Sequence, residues 1–474
     1  MSFKKVAILG AGPLGLMAAI EAQQNFVSDV TLIEKRSGYT RLNVPTLDNK
    51  ITSHLKKIDV APSVWKPGVS KPGDSISFSR IEEGLFEKAT SLGVKVERGW
   101  TVEGLIGRDK NKYGRYKSIA LTLRKWDDKG RKIMRGGGGK ILDTDFLIVS
   151  TGGAAAANPL VTNKLGFHFH KLAPTDYGAY GIFSPLLKDQ MTAPQFSEED
   201  YRQQSEDKKL ANTVSGRKIA FHTNDHNYLL VTLQNCSASD FEKLQATPDQ
   251  LKRVLLAIGH TMGTAVLSEI KEVEKNMALF EIAIQRAQQF YSPEYPAVLL
   301  GDAAVTPHPE QGSGITTGFH GFEKLQELFA ALKKLDRSNN TEKAFTNFNN
   351  AVEIIASKKA LEGTRGVLQN HIATLNNYIS QLKAGLAGMQ SSGAKKYITD
   401  IIEELEPLRN DLTSESERTK EFLSALEGGN LPDTALTLEN LWKVIRQTHN
   451  QVQNMIKDAD LMGENLEKMQ QRFG

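Results

Sequence analysis

The stretch "KVAILGAGPLGLMAAIEAQQNF" (5–26) restricts the fold more than any other part of the chain. An apolar run, a glycine-rich turn and an amphipathic segment follow one another. "DVTLIEKR" (29–36) then supplies a second apolar run that ends in charge. This is the pattern of a compact βαβ unit, in which the segment between two parallel strands must cross over as a helix. The turn "GAGPLG" has G-x-G-x-x-G spacing, and its setting gives that spacing meaning: strand before, helix after, an acid closing the second strand. Gly10 makes the tight turn, Gly12 admits a pyrophosphate close to the backbone, and Gly15 lets helix and strand pack. Pro13 and Leu14 open a helix whose unpaired N–H groups face the phosphates.

Glu34 is placed to accept hydrogen bonds from the adenosine ribose. A 2′-phosphate there would meet the carboxylate, which favours FAD or NAD over NADP as the bound dinucleotide. The rest of the chain separates FAD from NAD. A simple dehydrogenase would continue with parallel β-α units. Here a polar, Pro-rich stretch (37–79) intervenes, followed by a helix and strand over 79–102 with Ile81, Leu85, Phe86, Ala89 and Leu92 on one helical face. Antiparallel strands are expected over 117–149, around "DDKG" and "GGGG" turns. The glycines 136–139 read as a flexible turn because no helix follows. Further strands, notably "RKIAFHT" and "NYLLVTLQN", are expected within 177–235, with a polar loop or exposed helix at 188–209, and helices through 248–290.

The second glycine-rich stretch lies near residue 300: "VLLGDAAVTPHPEQGSGITTGFHGFEKLQELF". Asp302, at the end of an apolar strand, can hold ribityl hydroxyls. Gly312 and Gly314 let the backbone pass a flavin edge. The helix starting at Gly314 and Ile315 aims its positive end at the pyrimidine ring. A cofactor gripped at two places so far apart in sequence suits FAD.

This stretch resembles the GD motif of the group A flavin monooxygenases, the para-hydroxybenzoate hydroxylase type. Gly301, Asp302, Ala303, Ala304, Pro309, Gly312 and Gly314 match, and Val305 stands where that family has a His. Within the superfamily, "TLIEKRSGYTRLNVPTL" (31–47), "DSISFSRIEEGLFEKATSLGVKVE" and "AFHTNDHNYLLVTLQNCSASDFEKL" resemble the MICAL flavin monooxygenase domain. The resemblance implies an FAD-dependent monooxygenase that uses NADPH or NADH and O₂ through a flavin C4a-hydroperoxide, and a protein side chain as substrate. It places Glu34, Lys35, Arg36 and Arg41 near the cofactor, Asn43 at the isoalloxazine, Arg80 at the diphosphate, and Pro309 and His308 in the catalytic loop. Taken alone, Arg36 and Arg41 serve equally as surface charges, and His308 as an exposed loop histidine. Thr151 and Gly152 occupy the place of the superfamily's Asp-Gly pair, and "PHPEQG" lacks the MICAL loop Trp. Two other readings stay open: an FAD-binding scaffold whose helical C-terminus binds a protein, and a small-aromatic hydroxylase.

The fold expected is α/β: a Rossmann-like FAD-binding domain with an inserted β-sheet substrate domain, then a C-terminal bundle of long helices. The boundaries are 1–172 and 291–349 for the cofactor domain, 173–290 for the substrate domain and 350–474 for the bundle. In the last segment Leu368, Ile372, Leu375, Ile379, Leu382, Leu386 and Met389 step by four and three, an a/d seam. Ile398, Ile401, Leu405, Leu408 and Leu412 continue it, and 441–473 gives a third helix after the "GGNLPD" loop. These helices either brace the catalytic domain or offer a surface for a protein partner. A net charge of +4 over 474 residues argues against a nucleic-acid protein. The single cysteine, Cys236, fits a reducing compartment and excludes an intrachain disulfide. His168, His170, His222 and His226 lack metal-site spacing, so no metal is expected. No apolar run reaches membrane-spanning length. "KKVAILGAG" begins without a signal-peptide core, so the expectation is a cytoplasmic protein, with export by a signal-less route left open.

Overall fold

A computed structural model describes residues 3–61, 64, 75–111, 114–126, 139–171, 176–184, 218–233, 238–263, 277–282, 284–307, 314–335, 341–388 and 392–427. The chain divides into two compact units, the first reaching Ala356 and the second built mainly from residues after it. In the first unit the order is β1 (Lys5–Leu9), α1 (Pro13–Glu21), β2 (Asp29–Glu34), α2 (Asn49–Lys57), α3 (Phe78–Ser91), β3 (Lys95–Arg98), β4 (Trp100–Lys110), β5 (Tyr116–Lys125), β6 (Lys140–Thr144) and β7 (Phe146–Val149). There follow β8 (Phe169–Lys171), β9 (Asp176–Phe183), β10 (Lys218–His222), β11 (Asn227–Leu233), α4 (Ala238–Ala246), α5 (Pro248–Thr261), β12 (Met277–Ile282), β13 (Gln285–Ala287), β14 (Ala297–Leu299), β15 (Val305–Thr306) and α6 (Gly314–Lys334).

The centre is a parallel sheet in the order β14-β7-β1-β2-β3. Val6–Leu9, Val30–Ile33, Phe146–Val149 and Ala297–Leu299 are buried without alternation. That is the mark of strands covered on both faces. Leu16 and Met17 of α1, Ile81 and Leu85 of α3, and Phe322 and Phe329 of α6 share this core. Phe26 stacks on Phe329 at 4.5 Å between ring centroids, and Phe146 meets Phe329 edge-on. An antiparallel sheet, β10-β11-β9-β12, forms the inserted region, with α5 buried against it through Leu251, Leu255 and Ile258. A second antiparallel sheet, β4-β5-β6, completes the expected α/β architecture.

Three expectations are corrected. The segment "ILDTDFLIVS" is not one antiparallel strand: β6 pairs with β5, whereas β7 pairs parallel with β1. Asp145 makes the corner, because its carboxylate accepts the Lys4 and Lys5 N–H groups at 2.8 and 3.0 Å and so joins the two strands' ends. Residues 277–282 and 285–287, expected to be helical, are the strands β12 and β13. A short apolar run carries no decisive period. Here Gly178 of β9 settles it by leaving room for the Phe280 ring, which a β-carbon would meet at 2.6 Å. The polar stretch 37–79 contains α2, capped by the Asp48 side chain accepting from the Ile51 N–H at 2.8 Å.

In the second unit α7 (Thr341–Gly388, from Ser357 on) and α8 (Ser392–Glu427) run antiparallel. Lys358 pairs with Glu427 and Lys383 with Glu406. Leu368, Leu375, Ile379, Ile398, Leu405, Leu408 and Leu412 are buried as the heptad requires. Ile372, Leu382, Leu386 and Ile401, expected on the seam, are only half-buried, and Ile402 is buried in place of Ile401. Met389, the 428–433 loop, the third helix at 441–473, Cys236, the loop at 188–209 and the glycines 136–138 lie outside the described residues. No described helix is long and apolar enough to cross a membrane.

Candidate functional site

Everything at the candidate site belongs to the first unit. At the end of β1 the chain turns sharply through Gly10, which has φ of +98° and donates its N–H to Ile33 O at 2.8 Å. A β-carbon on Gly10 would sit 2.5 Å from Ser150 O, and one on Gly15 would sit 1.9 Å from Gly10 O. Both are overlaps with backbone, so the turn takes glycine at each position. The Ser150 hydroxyl lies 3.0 and 2.8 Å from the Leu9 and Gly10 carbonyls and locks the end of β7 onto the turn. Gly12 is the N-cap of α1 with Pro13 at its first position, and Leu16 N bonds Gly12 O at 2.9 Å. The N–H groups of Leu14 and Gly15, in the first turn, have no acceptor within the helix.

Glu34 ends β2 almost fully buried. Its carboxylate accepts from Ala11 N at 2.7 Å, Arg36 N at 2.9 Å and Arg36 Nε at 2.9 Å. Burial pushes this carboxyl up. The Arg36 side-chain and backbone hydrogen bonds, the Arg36 charge and the Ala11 N–H together outweigh burial and hold it below its ordinary value. Lys35 lies over the Trp126 ring at 3.7 Å.

The second motif meets the first across Leu14. A β-carbon on Gly301 (φ +66°) or Gly318 would fall 2.5 or 2.0 Å from Leu14 Cδ1, so α6 and the residue-301 turn close on the tip of the first motif. Asp302 is exposed to the resulting cavity, although protein atoms crowd around it. Burial pushes its carboxyl up to about 6, partly opposed by the Arg41 charge.

These elements wall one cavity of about 700 Å³. Gly10, Gly12, Pro13, Leu14, Gly15, Glu34, Lys35, Arg36, Arg41, Thr151, Gly152, Asp302, Gly314 and Ile315 all line it. Gly152 has φ of +73° with open space where its β-carbon would stand, and the Thr151 hydroxyl is buried without a partner. Two expected residues are not on this wall. Arg80 is held outward by a two-point pair with Asp225 at 2.8 and 2.9 Å. Asn43 uses its carbonyl to accept the Phe78 N–H at 2.9 Å, at the start of α3. His308, Pro309, Glu310 and Gly312 lie outside the described residues.

Several wall residues carry no motif. Phe78, Trp100, Thr101, Val102 and Ser150 line the cavity because strand ends and a helix start bring them there. Glu82 is the instructive omission. It is fully buried and pairs with Arg41 and, at 3.6 Å, with Arg36. An acid on the buried face of α3, four residues after Phe78 and three before Leu85, was the available signal. Among the described residues no cluster of three or more His, Cys, Asp or Glu side chains could hold a metal ion.

No protein-family model matches the sequence, and no curated protein sequence matches it. Solved structures do match in fold. A flavin-dependent halogenase aligns at TM-score 0.52 and 14% identity, over 76% of this chain and 63% of its own length, so the chain spans less than two thirds of it. A p-nitrophenol 4-monooxygenase from Pseudomonas putida aligns at TM-score 0.51 and 13% identity, over 90% of this chain and 98% of that one. Aklavinone-11 hydroxylase, solved with FAD and aklavinone, aligns at TM-score 0.51 and 14% identity, over 76% and 68%. At these identities the likeness is one of fold: the mixed α/β architecture that these flavin enzymes share.

Proposed function

We propose that the chain binds FAD in this cavity and acts as a flavin-dependent monooxygenase. The observation that carries the reading is the convergence of two motifs some three hundred residues apart on one cavity wall. The residues present fit the cofactor. The glycine turn lays bare backbone along the cavity: β-carbons on Gly10 and Gly15 would strike backbone, and one on Gly12 would stand 3.4 Å from Arg41 Nη2. Beside it the Leu14 and Gly15 N–H groups and the guanidinium of Arg41, a wall residue, supply donors for a diphosphate. Glu34 lines the same wall, where a ribose hydroxyl would compete with Arg36 for its carboxylate oxygens. Asp302, on the second motif, accepts from ribityl hydroxyls in this reading. When bound, the flavin supplies the redox and O₂ chemistry, while the chain binds, orients and excludes water.

NADPH or NADH is the reductant in this reading. A finer version, resting on the MICAL-like segments, makes the substrate a protein side chain such as methionine, with the C-terminal helices recruiting the protein that carries it. A second reading, a flavin-binding scaffold, is favoured by one feature: Thr151, Gly152 and Gly153 offer no carboxylate where the superfamily usually has one.

The test is spectroscopic. Protein reconstituted with FAD is expected to be yellow, to bleach anaerobically with NADPH or NADH, and to consume reduced nicotinamide once O₂ returns. Mapping methionine oxidation in candidate proteins then addresses the substrate. A chain that stays colourless in excess FAD ends the flavin reading. One that binds FAD but resists both nicotinamides favours the scaffold.

A further inference from the structure

Glu82 has no part in the motifs described, yet it is fully buried and paired with Arg41, which lines the cavity. It projects from α3, and the pair it forms with Arg41 lies over the glycine turn. A β-carbon on Gly12 would stand 3.4 Å from Arg41 Nη2 and 4.0 Å from Glu82 Oε1. Glu82 Oε1 holds Arg41 Nη2 and lies 3.6 Å from Arg36 Nη2, so one carboxylate oxygen serves both guanidinium groups. The backbone repeats the attachment. Ser79 N bonds Arg41 O and Phe78 N bonds Asn43 O, each at 2.9 Å, so the first turn of α3 binds the 41–43 loop. The Phe78 ring lies under the guanidinium at 4.8 Å. Arg41 is thus fixed at one nitrogen and at its face, while its Nε is left buried without a partner.

Burying a carboxylate is costly unless it is paired, and removing one partner of a buried pair is worse than removing both. A guanidinium presents its donors in a rigid fork. Holding one tine therefore fixes where the remaining donors point.

We propose that Glu82 is a positioning residue for diphosphate recognition: it anchors Arg41 beside the Gly12 turn so that the guanidinium's remaining donors face the phosphates of a bound dinucleotide. This rests on the flavin reading above and adds a residue to it. The ligand class is a nucleoside diphosphate, whether the ADP half of FAD or free ADP.

The experiment titrates FAD, ADP and adenosine onto the full-length apo chain and onto Glu82→Gln, Glu82→Asp, Arg41→Met and the double variant Glu82→Gln/Arg41→Met. The expected result is at least a tenfold weakening of FAD and ADP by either Glu82 variant, adenosine unchanged, and no further weakening by Glu82→Gln once Arg41 is Met. If Glu82→Gln fails to fold, Glu82→Asp, which keeps the charge but shortens the reach, decides on the same readout. Unchanged ADP and FAD affinity, equal losses for adenosine, or an undiminished Glu82→Gln effect without Arg41 would each overturn the assignment while leaving flavin binding intact. A wild-type chain that binds neither FAD nor ADP would overturn both.

Discussion

The turn at 10–15 and the stretch from 301 to 318 face the same cavity but are held by different physics. The first is a matter of steric fit. At Gly10 and Gly15 a β-carbon would meet backbone at 2.5 and 1.9 Å, and backbone cannot swing aside. The second is softer and more electrostatic. At Gly301 and Gly318 the obstructing atom is the tip of one flexible side chain, Leu14, although Gly318 also lies close to Gly301 Cα. At Gly314 nothing stands nearer than 3.7 Å. What distinguishes this stretch is a carboxylate, Asp302, kept where burial disfavours its charge. The first stretch is thus specified by shape, and the second by a charge that lacks a firm partner.

The hardest blow to the steric side is Gly15→Ala. Its β-carbon overlaps Gly10 O and Ser150 Oγ, so α1 must separate from β1. Overpacking of this kind costs about 3 kcal/mol or more. The expected outcome is a melting temperature lowered by several degrees in the apo chain and no FAD uptake, read by calorimetry and absorbance. A variant that melts like wild type would show that the turn is looser than its geometry.

Asp302→Asn probes the electrostatic side. The folded carboxyl holds its proton more tightly than the unfolded one, at about 6 against 3.8. Its contribution is therefore stabilising below the ordinary carboxylate range and is lost as pH rises through about 6. The apo variant is expected to gain on wild type between pH 4 and 7.5 in thermal melts while binding FAD about tenfold more weakly, the scale of one charge-assisted hydrogen bond. Equal melting of the two proteins at pH 7.5 would remove the case for a strained carboxylate.

Glu34→Gln has the opposite pH sign. The folded Glu34 carboxyl lies below its ordinary 4.5, so its contribution is present above that value and is lost as pH falls through the folded value. Losing hydrogen bonds to a charged group costs about 1.5–3 kcal/mol. Urea midpoints are expected to differ at pH 7 and to converge in acid.

The same contrast explains what the sequence disclosed. The glycine turn was legible because backbone overlap allows one residue type, and the spacing of those glycines survives in the string. The central sheet was legible because doubly covered strands are uniformly apolar. Glu82 and Ser150 were not picked out, since their roles depend on contacts with Arg41 and with the Leu9 and Gly10 carbonyls, which no local pattern encodes. The strand β12 was missed for a related reason: its identity is settled by Gly178 on a strand about a hundred residues earlier. Arg80 was expected at the diphosphate by family likeness alone, and its own neighbour in space, Asp225, holds it elsewhere.

Two further substitutions sharpen the comparison from its weak end. Gly314→Ala adds a methyl at ordinary contact distance, 3.7 Å from Asp302 Oδ1, at the start of α6, where the alanine–glycine difference is at most about 1 kcal/mol. Stability is expected to stay within that margin, in contrast to Gly15→Ala. A loss of several kcal/mol would mean that the residue-314 turn is as tightly built as the first.

Arg80→Ala is expected to do least. Its guanidinium and the Asp225 carboxylate are both about half exposed, and exposed pairs contribute about 0–1 kcal/mol. The structure turns this side chain away from the cavity wall, so FAD affinity should match wild type across a salt titration, whereas Arg41→Met should lose affinity under the same conditions. A tenfold loss with Arg80→Ala would show that Asp225 releases Arg80 when the cofactor binds. The boundary between the shape-specified and charge-specified stretches would then have to include the hairpin joining β10 to β11.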